Sequence, residues 1–185
     1  MDEATEHILT LIRNDPWRME ILSAVRALAL PDWAIGAGFV RAAVWDAYCG
    51  FSAPTPLGDI DVIYFDRCRM NSAIERRHER QLQRKYPAIP WSVKNQARMH
   101  HRNGDLPYQN TVDAIAHWLE MPTCIAVRLS DSGHLDLIAP HGTHDLISCR
   151  TRPTPVARRK MAAYDHRLNT KGWRKKWPEL KVYKV

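Results

Sequence analysis

No run of about 18 apolar residues occurs in this 185-residue chain, so the sequence predicts no membrane-spanning helix. The N-terminus lacks the basic-then-apolar pattern of an export signal. Asp2, Glu3 and Glu6 come early instead, and secretion is not expected. Cysteine is scarce: Cys49, Cys68, Cys124 and Cys149 form no CxxC pair and no metal-ligand spacing with histidine, which leaves a zinc site or a disulfide framework without support. They read as reduced thiols of a cytoplasmic protein, three of them packed in the core. There is no internal repeat, no low-complexity segment and no regular alternation of strand and helix. That last absence favours an α+β domain over a doubly wound one.

What is present is an uneven charge. Residues 157–185 hold ten of the 27 basic side chains but two of the 20 acidic ones, Asp165 and Glu179. That segment nets +8, and the rest of the chain nets −1 against the overall +7. Basic character therefore belongs to the tail. The expected organisation is one domain over residues 1–155 and a basic, aromatic segment over 156–185 that docks on it. Tyr164, Trp173, Trp177 and Tyr183 interleave with the tail's lysines and arginines, a mixture that also suits a nucleic-acid strand. Docking is the favoured reading, because Trp173 and Trp177 lie one helical turn apart and would anchor together while the cations face water.

Local patterns place the elements. A first helix is expected from about Ala4 to Ile12. A second starts at Pro16, with Asp15 as its cap, and runs to about Leu30. Trp33 to Ile35 reads as a short strand, and Gly36-Ala37-Gly38 as a turn opening a helix from Phe39 to Cys49. Asp59 to Tyr64 alternates strictly, with Asp59, Asp61 and Ile63 on one face and Ile60, Val62 and Tyr64 on the other. Ser72 and Glu75 form a capping-box pattern that opens a helix to about Tyr86. Trp91 to Asn95 is a strand, Thr111 to Leu119 a weak helix, and Asp131-Ser132-Gly133 joins two strands as a hairpin.

The chemistry concentrates in two blocks, Gly36 to Arg41 and Thr55 to Asp61. A glycine turn opening a helix can offer backbone N–H groups to phosphate. Gly36 and Gly38 would allow close approach, with Ala37 between them, and Arg41 in the first turn adds charge. Two carboxylates at i and i+2 on a strand point the same way and suit a divalent cation that also takes phosphate oxygens. Asp59 and Asp61 precede the core-like run Val62-Ile63-Tyr64-Phe65, and carboxylates on a buried strand need counter-charge. An isolated DxD is usually a cap or a surface pair. The order strand, glycine turn, helix with arginine, loop, strand with DxD carries more weight than either block alone.

That order resembles the DNA polymerase beta-type nucleotidyltransferase superfamily, including tRNA CCA-adding enzymes, where a glycine pair precedes a Val-Arg pair and then DxD. Gly36, Val40, Arg41, Asp59 and Asp61 fit it. The chain is more closely similar to a bacterial family of nucleotidyltransferase-like proteins through Ala37 to Arg41, Thr55 to Val62, Trp91 to His100, Ala139 to Gly142 and Arg152 to Pro155. The resemblance implies a polymerase beta-like fold, a small mixed sheet flanked by helices. It departs at Ala37, where the superfamily often has serine or a second glycine, and in the longer loop between Arg41 and Asp59.

Active superfamily members use a third acid on a neighbouring strand, and Asp136 is the expected one here. The Trp91 to Asn95 strand offers Ser92 and no carboxylate. Lys94 or Arg98 would meet a triphosphate, and Asn95 or Gln96 would read a base edge; alternatively these side chains satisfy the loop. The expected function is transfer of NMP from an NTP to a hydroxyl acceptor, with Mg²⁺ or Mn²⁺ held by Asp59, Asp61 and Asp136 and pyrophosphate released. RNA is one such acceptor. Two other readings stay open: an inactive module that binds nucleotide or RNA, and a toxin–antitoxin-like interaction protein.

Overall fold

The first helix, α1 (Glu3–Arg13), begins where Asp2 accepts a hydrogen bond from the Thr5 amide at 2.8 Å. The second, α2 (Pro16–Arg26), begins at Asp15, whose carboxylate accepts from the Arg18 amide at 3.0 Å, with Pro16 in the first turn. These details come from a computed structural model, which describes residues 2–184. Helix α2 stops four residues earlier than its apolar pattern predicts. The Leu28 and Ala29 amides bond three residues back instead of four, and Ala29 then turns the chain at φ +51°.

The chain continues through β1 (Ala34–Gly36), α3 (Gly38–Tyr48), β2 (Ile60–Tyr64), α4 (Ser72–Lys85) and β3 (Trp91–Asn95). A 3₁₀ turn leads into α5 (Met99–Asn103), followed by α6 (Thr111–Ala116), β4 (Ala126–Leu129) and β5 (Leu135–Ile138). Then come α7 (His144–Ile147), β6 (Arg150–Thr151), α8 (Met161–Lys171), α9 (Trp173–Lys176) and β7 (Lys181–Val182). Strands β1 to β5 form one sheet in the order β3-β2-β1-β4-β5, and β6 pairs with β7. Only β2 and β3 run parallel within the five-stranded sheet, with α4 as their crossover, so the sheet is mixed and the domain α+β.

Strand alternation splits the sheet into two unlike faces. Ile35, Ile60, Val62, Tyr64, Val93 and Val127 turn toward α1, α2 and α3 and form the main core with them. Ala34, Ile63, Ala126 and Ile138 turn the other way, onto Ile115 and Cys124. Of the other cysteines, Cys49 and Cys149 are partly buried against the main core and Cys68 is exposed.

The basic C-terminal segment is packed into the main core through its aromatics. The Trp45 ring lies 5.9 Å from that of Trp173 and 5.0 Å from that of Trp177, both edge to face. Such pairs contribute about 0.5–1.5 kcal/mol each beyond burial. Trp177 Nε1 donates to Asp46 Oδ1 at 2.7 Å, and the Tyr164 hydroxyl donates to the Tyr183 carbonyl at 2.7 Å.

Helix α4 is capped by Asn71, which accepts from the Ala73 amide at 2.9 Å, and not by the expected capping box. Glu75 has another task. Strand β3 is an edge, and its outward amides at Val93 and Asn95 need acceptors. Glu79 Oε1 takes the Val93 amide and Glu75 Oε1 the Asn95 amide, each at 2.9 Å.

Candidate active site

On the second face of the sheet, Asp59 and Asp61 open into a cavity of about 570 Å³. Its floor is Asp61 and Ile63 from β2 with Ser92 and Lys94 from β3, which the parallel register sets side by side. Gln96, Met99 and Arg102 form one wall. Trp118, Glu120 and Thr123, from the segment before β4, form another, and α8 closes the third with Lys160, Arg167 and Lys171. Five cationic side chains thus face three carboxylates, those of Asp59, Asp61 and Glu120.

Asp59 is exposed and Asp61 is partly buried. Burial, and secondarily the charge of Asp59, raise the Asp61 carboxyl above its ordinary value; Ser92, Lys171 and Arg167 oppose this without cancelling it. Two like charges thus lie side by side, one of them partly withdrawn from water. A divalent cation fits such a pair, and Asp59 and Asp61 are the residues that would hold it. Among the described residues no three His, Cys, Asp or Glu side chains gather as a metal-binding cluster.

The expected third acid, Asp136, is not in the cavity. It shares a sheet face with Asp61, but β1 and β4 stand between their strands, three spacings or roughly 14 Å away. There it accepts from Arg128 Nε at 3.1 Å. The carboxylate that the cavity does hold is Glu120, fully buried. Its Oε1 accepts from Arg167 Nε at 2.6 Å, and its Oε2 has no hydrogen-bond partner among the described residues.

Arg41 sits behind the carboxylates instead of in front of them. It is buried on the inner face of α3, with its guanidinium carbon 4.4 Å from the Trp173 ring and 5.3 Å from that of Trp45, and Nη1 donates to Thr123 Oγ1 at 3.0 Å. Burial pulls its pKa down to about 10, against the pull of Glu120, Asp61 and Asp59, so it stays charged at neutral pH. Its charge reaches the site through protein and not by contact with the cavity.

The glycine turn divides similarly. A side chain at Gly36 would come within 2.7 Å of the Trp118 ring, so this glycine admits a tryptophan and not a phosphate. Ala37 lines the cavity at φ +51°, ψ −115°, a conformation that strains any residue but glycine. Gly38 is open, and the first turn of α3 has no side-chain cap, which leaves the amides of Gly38, Phe39 and Val40 without intrahelical acceptors. The register pairing Gly36 with Asp61 carries this turn toward Asp59.

Of the polar cluster after β3, Lys94 and Gln96 line the cavity, and Lys94 is steadied by Glu79 at 2.7 Å. Asn95 spends its whole hydrogen-bonding capacity on the loop. It accepts from the Asp66 and Ala97 amides and donates to the carbonyls of Asp66 and Arg69. Arg98 is forked onto Glu75, with Nε to Oε1 at 2.6 Å. Neither can read a base or bind a triphosphate from there.

The family model described as nucleotidyltransferase matches residues 23–182. The chain belongs to this nucleotidyltransferase family. The nucleotidyltransferase match is joined by a solved structure whose NMR analysis reveals a CCA-adding enzyme head domain. The two share 31% identity over 97% of this chain and 96% of that one, with a TM-score of 0.87. A tRNA-processing enzyme in an apo form shares the fold at 16% identity and a TM-score of 0.51, and this chain spans 45% of its length. Among curated proteins none matches. No helix among the described residues of this nucleotidyltransferase is long and apolar enough to cross a membrane.

Proposed function

We propose that the protein transfers a nucleoside monophosphate from an NTP to a hydroxyl of an RNA acceptor and releases pyrophosphate. The observation that carries this is the pairing, in one cavity, of Asp59 and Asp61 with five cations and an uncapped helix start. The likeness to a CCA-adding enzyme head domain supports RNA as the acceptor class.

Arg167, Lys171 and Lys94 are suited to hold the triphosphate. Glu120 is a positioning residue: it fixes the Arg167 fork through Nε. Mg²⁺ or Mn²⁺ held by Asp59 and Asp61 would supply charge neutralisation at the reacting phosphate. The acceptor oxygen forms a bond to the α-phosphorus, and the bond from that phosphorus to the β-phosphate oxygen breaks with its electron pair on the leaving pyrophosphate. The acceptor proton passes to water in the open cavity.

One feature favours a second reading, a nucleotide-binding module without turnover: the position facing Asp61 on β3 is Ser92, and Glu120 is tied to Arg167. Incubation with α-labelled NTPs, Mg²⁺ or Mn²⁺ and cellular RNA separates the two. Label in RNA with stoichiometric pyrophosphate is expected. Metal-dependent NTP binding by calorimetry with no pyrophosphate and no labelled RNA would sink the transferase reading.

A further inference from the structure

Every acid of α4 turns inward, which leaves its outer face basic and without an acid. Glu75 and Glu79 are taken up by the amides of β3 and by Arg98 and Lys94. Arg76, Arg77, Arg80, Arg84 and Lys85 are all exposed. None of the five forms an ion pair among the described residues. Arg77, Arg80 and Arg84 line one shallow groove. At 100° and 1.5 Å per residue they fall within roughly 60° of one another and span about 10.5 Å. Leu82 of the same helix is buried against the body.

We propose that this arginine stripe binds the phosphate backbone of a paired RNA stem. Three planar guanidinium forks in a row suit successive phosphodiesters. The groove is lined by Arg77, Arg80, Gln83 and Arg84 and by no aromatic side chain, so it is built for backbone and not for stacked bases, which favours a duplex over a single strand. Membrane docking would require an apolar stripe beside the basic one, and α4 presents none outward. The choice of RNA over DNA rests on the acceptor class proposed above.

The test measures binding of the full chain to a fluorescent RNA hairpin across a salt series. Replacing Arg77, Arg80 and Arg84 together by alanine should weaken binding at least about tenfold near 0.1 M salt and lower the salt slope by about 2–3. The triple lysine variant R77K/R80K/R84K should keep most of the slope, and an unchanged circular dichroism spectrum shows that folding is intact. The tail variant K175A/K176A should lose no more than about threefold. The proposal is overturned if the alanine variant binds the hairpin as the wild type does. It is equally overturned if single-stranded RNA or a DNA duplex of the same sequence binds as tightly, or if the stripe serves only anionic phospholipid vesicles. A protein that transfers no nucleotide yet binds the hairpin through the stripe loses the transferase reading and keeps this surface.

Discussion

Asp61 and Asp136 stand on the same face of one sheet, each two residues before an isoleucine, with apolar neighbours turned to the opposite face. Their surroundings differ. Asp136 lies on the edge strand β5, where it is held by Arg128. Asp61 lies on an interior strand, beside Asp59 and over a cavity, and its cations stand off from it. Two nearly identical strand patterns therefore give one ion-paired surface acid and one partly desolvated acid. Strand order makes the difference, because only β1 and β3 adjoin β2.

The comparison can be broken or sharpened by substitution. The largest effect is expected at the carboxylates: D59A or D61A should lower nucleotidyl transfer at least about 10³-fold, roughly 4 kcal/mol in activation free energy, in a labelled-NTP assay. Next comes the cation behind them. R41A leaves a hole between Trp45 and Trp173 and a bare Thr123, and should cost about 3 kcal/mol in urea unfolding. E120Q should raise KM for NTP about tenfold with a smaller change in kcat, since it loosens Arg167 without removing it.

A subtler contrast lies in pH. A raised carboxyl favours the neutral form, so Asp61 opposes folding above its unfolded-state value and does not below it. D61N should therefore raise Tm at pH 7, and the gain should fade as the pH falls below about 4. Mg²⁺ should raise the Tm of the wild type and not that of D61N. The smallest effect is expected at Asp136. Its exposed pairing with Arg128 predicts that D136N changes stability by less than about 1 kcal/mol and leaves transfer intact.

The same contrast explains what was legible in the sequence. Period-two alternation put Asp61 and Ile63 on one face and Val62 and Tyr64 on the other, and Asp15-Pro16 marked the start of α2, because these are local rules. The α+β class followed from the lack of regular strand–helix alternation, and the nucleotidyltransferase family and its mixed sheet from the resemblance of motif blocks. Asp136 was chosen by pattern alone, and pattern carries no strand order. Asn95, Arg98 and Glu75 read as ligands or caps because their partners lie across a fold that no local rule specifies. Glu120 sits in no motif. Arg167 and Lys171 look like a solvated helix face, although Tyr164 shares their i, i+3, i+7 spacing and is fully buried, a sign that the stripe turns inward.

Helix α8 also sets an order in time. The carboxylates at positions 59 and 61 leave the ribosome about a hundred residues before Arg167 and Lys171 do, an interval of roughly 5–20 s at ordinary synthesis rates. A growing chain that has already built the sheet presents two acids and half a cavity. Until α8 packs against it, that cavity lacks Lys160, Arg167 and Lys171, three of its five cations. The cavity is thus completed by a helix made about a hundred residues after its acids.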